Sequence, residues 1–236
     1  MRESDPILNI ASAFAYSQSH EHLDKLHPAD RTSIVLSRQA GTREEAICEK
    51  LTHLLIEKTH APWNLYDRNL IDTVLKDHQL PVDLAKYIPE DKGNEVENLL
   101  QEIVGLHPSS WTLFEKTSET IFRLAQRGHV ILVGRAANII CAGLPQVFSV
   151  RLIGSYKVRV EYIQNSLKLS YEDARAYVDH LDGARKGYAQ KYFNEDIDNP
   201  LLYHITIHTD RFTDDYIASL IADGVVAFQK YLISKK

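Results

Sequence analysis

Short apolar runs rich in β-branched residues alternate along the chain with longer segments of helical periodicity. The apolar runs predict five strands, at residues 33–37, 63–66, 130–133, 147–153 and 203–208. The periodic segments predict helices at residues 43–58, 110–127, 155–167, 170–191 and 213–232. This alternation is typical of a parallel sheet covered by helices on both faces. We therefore expect a three-layer α/β domain.

Two segments depart from this alternation. Residues 1–31 precede the first strand, and their apolar positions, among them Ile7, Ile10 and Phe14, predict an amphipathic helix. Its polar face lacks lysines, which favours a helix that packs on the domain, or on a second subunit of a homo-oligomer, over one that lies on a membrane. Residues 68–108 are interrupted by prolines and predict a helical insertion within a domain that spans residues 32–236.

Composition excludes several classes of function. The 236-residue chain has a net charge of −5 and a pI near 6.1, whereas proteins that bind nucleic acids generally carry a positive excess. No apolar run approaches the roughly 20 residues that span a bilayer, and the N-terminus lacks a secretion-signal pattern. The two cysteines lack the spacing of a metal site or disulfide framework. We expect a cytoplasmic protein with no nucleic-acid or membrane partner.

Polar residues follow four of the predicted strands. They lie at residues 37–43, at Asp67 and Arg68, at Gly134 and Arg135, and at Thr209 and Asp210. In an open parallel sheet, ligands bind at the carboxyl ends of the strands, where helix N-termini attract anions. One such residue alone could be a cap or a surface ion pair. Four polar strand ends together favour a binding site.

The loop after the first strand has the position of a phosphate-binding loop. Its candidate residues are Ser37, Arg38, Gly41, Thr42 and Arg43. It lacks the opening glycine, the lysine and the following hydroxyl of the G-x-x-x-x-G-K-[ST] motif. Arg43 could bind a phosphate through its guanidinium fork. A tight turn in which Thr42 caps the next helix explains the same residues equally well.

A local positive charge distinguishes residues 151–191. This segment contains eight basic and five acidic side chains, although the whole chain is acidic. A cationic region in an acidic protein favours a small anionic ligand. Asp182 and Arg185 are three residues apart on one predicted helix, so Asp182 could orient Arg185. A solvated charged face is the alternative.

The ordered set of motifs resembles the cytidylate kinase-like family of P-loop proteins over about residues 33–230. The resemblance is carried by the motifs Leu65-Tyr66-Asp67-Arg68, Val133-Gly134-Arg135, Val150-Arg151-Leu152 with Arg159, Asp182-x-x-Arg185-x-x-Tyr188-x-x-x-Tyr192-Phe193 and Thr209-Asp210. It implies a P-loop NTPase-type fold with a five-stranded parallel sheet. It also implies a nucleotide-binding insertion, a helical lid at about residues 155–200, and ATP and Mg²⁺ as cofactors.

The resemblance also implies roles for individual residues. Arg43, Arg159, Asp182 and Arg185 match catalytic positions, and Asp67, Arg68 and Arg135 match positions that bind the acceptor nucleotide. The implied function is transfer of the ATP γ-phosphoryl group to a nucleotide such as CMP. The phosphate loop is about two residues shorter than the family's, which leaves fewer backbone N–H groups for a triphosphate. The alternative is therefore a catalytically degenerate protein that binds a nucleotide or anion in a regulatory or assembly role.

Overall fold

A computed structural model describes residues 27–67, 70, 73–74, 78–79 and 110–235. The predicted N-terminal amphipathic helix lies outside the described residues. The same holds for most of the predicted insertion and for Arg68.

Five strands form one parallel sheet in the order β2-β3-β1-β4-β5. The strands are β1 (Ser33–Arg38), β2 (Asn64–Tyr66), β3 (Val130–Val133), β4 (Val147–Ile153) and β5 (Ile205–His208). β1, β3 and most of β4 are buried on both faces, which explains their continuous apolar sequences. The predicted five-stranded parallel α/β fold is confirmed.

Six α-helices are described around the sheet. They are α1 (Glu44–Thr59), α2 (Ser110–Arg127), α3 (Ala137–Ile140), α4 (Tyr156–Leu167), α5 (Tyr171–Phe193) and α6 (Asp214–Ser234). Only α3 was not predicted from the sequence. It follows Gly134, Arg135 and Ala136, which all adopt positive φ angles, and a run of left-handed residues cannot be inferred from hydrophobic periodicity.

Each face of the sheet has its own apolar core. On one face, α1 and α6 pack on the strands through fully buried side chains such as Leu51 and Ile221. On the other face, α2 and α3 contribute Ile121 and Cys141, which pack against Leu132. Helices α4 and α5 pack on each other beyond the carboxyl ends of the strands. These two helices lie in the segment for which the sequence predicts a lid, and we refer to them as the lid helices, or the lid.

Local interactions fix one end of each of two helices. The Ser170 hydroxyl accepts the N–H of Asp173 at the start of α5, and the same hydroxyl donates to the Asp173 carboxylate. Gly128 ends α2 with a φ of 92°, and a Cβ there would lie 2.6 Å from the Arg31 backbone. A side chain at residue 128 would therefore force apart Gly128 and the segment at Arg31 that precedes β1.

One described helix, α6, is long and apolar enough to cross a membrane by length and composition alone. Its fully buried positions Ile217, Ile221 and Val225 belong to the core beneath the sheet. Ion pairs join α6 to α1 and to the residue before it, since Asp215 pairs with Lys50 and Asp214 pairs with Arg43. The apolar face of α6 thus serves packing within the domain.

Candidate anion-binding site

The carboxyl end of β1, the loop after it and the lid form the candidate site. The loop runs from Gln39 to Arg43, and its N–H at Gln39 donates to the carbonyl of Leu152 on β4. The buried methyl group of Ala40 packs in the apolar core of the lid, among Val160 and Val178. The loop is therefore attached to the neighbouring strand and to the lid.

Asp182 on α5 bonds directly to this loop. One carboxylate oxygen accepts the backbone N–H of Ala40 at 2.8 Å, and the other accepts from Nη1 of Arg159 at 2.7 Å. Arg159 Nη1 also donates to the Ala40 carbonyl, and its Nε donates to the Gly154 carbonyl. Arg159 and Asp182 thus hold both backbone polar groups of Ala40.

Gly41 lies against the backbone of α4. It has a φ of 79°, and a Cβ on it would lie 2.6 Å from the carbonyl oxygen of Arg159. A glycine is required there for two reasons, the left-handed backbone and the close approach of another main chain. This contact covers one side of the loop with the protein's own backbone.

The side chains of Ser37, Thr42 and Arg43 form hydrogen bonds with other groups of the protein. The Nε of Arg43 donates to Asp214 at 2.7 Å, and its Nη2 donates to the carbonyls of Thr209 and Phe212. The Thr42 hydroxyl donates to the Gln39 carbonyl, so it does not cap α1. The Ser37 hydroxyl accepts from Nη1 of Arg151 at 2.7 Å. The Arg43 guanidinium is thus bonded to the segment between β5 and α6.

A cavity of about 140 Å³ lies between the end of β1 and the lid. Five cationic residues line it together with one carboxylate, one amide and one apolar side chain: Arg38, Arg151, Arg159, Arg185 and Lys186, with Asp182, Gln39 and Ile197. The four arginines are nearly buried, whereas Lys186 is exposed. Cations outnumber carboxylates in this lining, so the cavity favours an anionic ligand.

Arg151 and Asp198 form a second network that the sequence analysis did not assign to the site. Arg151 lies on β4 beside Ser37, and its guanidinium donates to Asp198 and lies over the Tyr203 ring. Lys186 on α5 pairs with the other oxygen of Asp198 at 2.6 Å. Asp198, which lies in the segment between the lid and β5, thus connects β4 of the sheet to α5 of the lid.

The charges in this network shift the pKa values of its members. Burial opposes the charged form of Asp198, but hydrogen bonds from Lys186 and Arg151 outweigh that effect and lower its pKa. The bond to Asp198 raises the pKa of Lys186. Burial raises the pKa of the Tyr203 phenol. Asp198 is therefore anionic and Lys186 cationic at neutral pH.

The candidate acceptor residues lie at neighbouring strand ends. Asp67 directly follows β2 and Arg135 follows β3, which pairs with β2, and both side chains are half-buried. Neither residue lines the cavity of about 140 Å³. The structure therefore places the lid residues Arg159, Asp182 and Arg185 together, and Asp67 and Arg135 on the side beyond β3.

Aromatic side chains anchor the lid to the body of the protein. The rings of Phe114 on α2 and Tyr192 on α5 stack with centroids 4.4 Å apart and planes 8° from parallel. Tyr188 and Phe193 complete the cluster, and Trp111 extends it to the surface. The motif Tyr188-x-x-x-Tyr192-Phe193 therefore has a packing role.

Comparison with known proteins identifies the family of the chain. The sequence model of the cytidylate kinase-like family matches residues 33–211, and the chain belongs to this family. No protein of curated function matches the chain.

Solved structures are similar to this chain at low sequence identity. An uncharacterized protein from Eubacterium ventriosum ATCC 27560 is 18% identical, with a TM-score of 0.60 over 84% of this chain and 99% of that one. A gluconokinase from Sinorhizobium meliloti 1021 is 15% identical, with a TM-score of 0.47 over 87% of this chain and 98% of that one. Membership of the cytidylate kinase-like family makes this a nucleotide kinase-like protein.

Proposed function

We propose that the protein is a phosphotransferase of the nucleoside monophosphate kinase type, which transfers the γ-phosphoryl group of ATP to a nucleotide such as CMP. The observation that carries this proposal is the convergence of cations from β1, β4, α4 and α5 on one cavity at the end of the first strand. Membership of the cytidylate kinase-like family supports the same reaction.

Phosphoryl transfer requires positioning and charge stabilisation more than a protein nucleophile. Arg185 and Lys186 reach the cavity from the lid, and Arg38 reaches it from the end of β1. Asp182 and Arg159 hold the lid against the loop, so they position these cations. Asp67, Arg68 and Arg135 would bind the acceptor nucleotide, as their positions in the family motifs suggest.

The described residues do not fit Mg²⁺ ligation at the first loop. By its position, the Ser37 hydroxyl is a candidate metal ligand. Its oxygen, however, accepts a hydrogen bond from the Arg151 guanidinium, whose positive charge would repel a metal cation. The Thr42 hydroxyl is bonded to the Gln39 carbonyl. The arginines are therefore the groups that stabilise the charge of the transferred phosphoryl group.

A coupled kinase assay with ATP·Mg²⁺ and CMP, dCMP, UMP or AMP tests the proposal. We expect turnover with one or more of these acceptors. Arg185→Ala should lower kcat on the order of 10³-fold, the lower end of the effect of a charge-stabilising arginine in phosphoryl transfer. Arg175→Ala is the matched control, because Arg175 is an exposed arginine on the same helix, paired with Glu172. Equal activity of the two variants would refute the assigned role of Arg185.

A second candidate function is nucleotide or anion binding without catalysis, in a regulatory or assembly role. The observation in its favour is the bond from the Ala40 N–H to Asp182, which occupies a loop donor that a triphosphate would otherwise use. Calorimetry with ATP·Mg²⁺ separates the two candidates. Binding without turnover supports the second, and turnover rejects it.

A further inference from the structure

An exposed apolar stripe runs along the outer side of α6. Four residues lie on one side of this helix by their spacing and form the stripe: Tyr216, Leu220, Ala227 and Tyr231. The relative exposures of Tyr216, Leu220 and Tyr231 are 55%, 42% and 51%. Phe212 extends the stripe, because its ring stacks on that of Tyr216. Apolar side chains that are exposed side by side, rather than singly, mark an interaction surface.

Other sides of α6 make its contacts within the described domain. Ile217 and Ile221 pack in the core beneath the sheet. Asp215 and Asp223 form ion pairs with lysines of α1. The residues of the stripe do not line the cavity at the end of β1. The stripe is therefore a surface distinct from the candidate anion-binding site.

The described chain begins beside the C-terminal half of α6. A short 3₁₀-helix, Pro28–Arg31, precedes β1 and contacts α6. On α6, the ring of Phe228 packs on that of Phe148, which pairs with Ile34 near the start of β1. The C-terminal half of α6 and the entry to β1 therefore lie at the same end of the sheet. Residues 1–26 join the domain at this end.

Residues 7–26 match the stripe in length and in pattern. As a helix, this segment would extend about 30 Å at about 1.5 Å per residue, which is also the length of α6. Ile7, Ile10 and Phe14 fall on one side of such a helix. Because the segment joins the domain beside the end of α6, a helix that lies along the stripe runs parallel to α6. Ile7 and Ile10 then lie near Tyr216 and Leu220.

Charges at the end of the segment complement those at the end of α6. Lys230 and Lys235 are exposed there, and Nζ of Lys235 lies 4.9 Å from the centroid of the Tyr231 ring. Residues 20–26 carry two carboxylates, Glu21 and Asp24, against one lysine. The parallel arrangement brings these carboxylates near the lysines of α6, which favours this orientation of the segment.

We propose that residues 7–26 dock as an amphipathic helix on the α6 stripe of the same chain. Burial of the stripe against the apolar side chains of the segment supplies the free energy. Docking also stabilises the helix itself, because most of the stability of such a helix comes from packing of its apolar face. The stripe lies outside the proposed phosphotransfer site, so this inference does not depend on the proposed function.

Hydrogen exchange of the full chain tests the proposal. We expect slow exchange of the amides in residues 7–26, because an undocked helix of this kind opens readily. Leu220→Glu should speed the exchange of these amides by roughly tenfold or more, the effect of losing one buried apolar side chain. Leu167→Glu changes an exposed leucine at the end of α4 and should leave the exchange unchanged. Equal exchange in the two variants would reject the proposal.

A second pair of variants tests the docking from the side of the segment. Phe14→Glu places a charge on the apolar side of the predicted helix, and it should speed the exchange of residues 7–26 as Leu220→Glu does. Asn9→Glu lies on the opposite side by helical spacing and should have little effect. The amides of β1 and β4 are the internal reference and should exchange at the same rate in every variant. Equal exchange of residues 7–26 in the Phe14 and Asn9 variants would contradict the docking.

Sedimentation over a range of protein concentrations distinguishes this occupant from a second copy of the chain. We expect slow exchange of residues 7–26 in the monomer, independent of concentration. Slow exchange that appears only as dimers form would assign the stripe to a second copy and overturn the proposal. Rapid exchange of residues 7–26 in the unchanged protein would overturn it as well.

Discussion

The carboxylate of Asp182 accepts the backbone N–H of Ala40 at 2.8 Å, although the two residues are 142 positions apart in the sequence. Through Arg159, the same carboxylate is connected to the Ala40 carbonyl. The first loop and the lid therefore form one hydrogen-bonded unit. A change at either residue should affect both the stability of the domain and the shape of the cavity.

Asp182→Asn should lower the free energy of unfolding by about 1.5–3 kcal/mol, the range for a lost hydrogen bond to a charged group. The physical reason is that Arg159 is nearly buried and would lose its only described carboxylate partner. Urea unfolding at neutral pH measures the effect. Asp179→Asn changes an exposed carboxylate on the same helix and should be near neutral. Equal stabilities of the two variants would contradict the role of Asp182.

Gly41→Ala should destabilise the protein by about 1–3 kcal/mol, the range for overpacking and for a strained backbone conformation. The added Cβ would lie 2.6 Å from the Arg159 carbonyl oxygen at a φ of 79°. Gly183→Ala is the matched control, because a Cβ there meets nothing within 4 Å in the middle of α5. The control should stabilise the helix by about 0.5–1 kcal/mol. In urea unfolding, the two variants should therefore change the free energy of unfolding in opposite directions.

The sheet could be predicted from the sequence because a parallel sheet buried on both faces requires continuous apolar strands. Runs such as Val130–Val133 therefore stand out against the amphipathic helices. The predicted strand and helix ends agree with the observed ones to within two residues, since local sequence specifies ends less sharply than cores. α3 could not be predicted, because it depends on the left-handed backbone of residues 134–136.

The candidate site was only partly predictable. Asp182 and Arg185 share one face of α5, so helical spacing brings them together in the sequence itself. Asp198 lies in an irregular segment, and its partner Arg151 is 47 residues away on β4, so no periodic pattern relates them. The position of Arg43 in the loop could be predicted, but its orientation could not, because a φ of 60° at a residue other than glycine depends on tertiary contacts.

A double-mutant cycle on Phe114 and Tyr192 should give a coupling energy of about 0.5–1.5 kcal/mol, the range for aromatic pairs. These rings stack between α2 and the lid, so the coupling measures how firmly the lid is attached to the body. Both residues are changed to Ala, singly and together, and stability is measured by urea unfolding. The control cycle pairs Phe114 with Tyr177, an exposed tyrosine on α5, the helix that also carries Tyr192. Its two substitutions should be additive within about 0.5 kcal/mol. Additivity of the first cycle would contradict the aromatic attachment.

Mild acid should destabilise the protein through His204. Its Nδ1 accepts the backbone N–H of Ser149 at 2.9 Å, which a protonated imidazole cannot do. Partial burial also lowers the pKa of His204 below its ordinary value of 6.5. As the pH falls, the unfolded chain therefore binds this proton before the folded chain does. Stability is complete above the ordinary imidazole pKa and decreases as the pH falls below it.

Urea unfolding at pH 7.5 and 5.5 checks this sign, because the lowered pKa values of Asp198 and Asp210 act only at more acidic pH. Burial also lowers the pKa of His129, which acts in the same direction, so the contribution of His204 is read from its variant. The urea midpoint should be lower at pH 5.5, by a modest amount because the ring is partly exposed. His204→Asn keeps an acceptor for the Ser149 N–H and does not titrate, so it should reduce the difference between the two pH values. His53→Gln, on the exposed face of α1, should retain the full difference. A His204→Asn variant with the same pH dependence as the unchanged protein would assign the acid sensitivity to other groups.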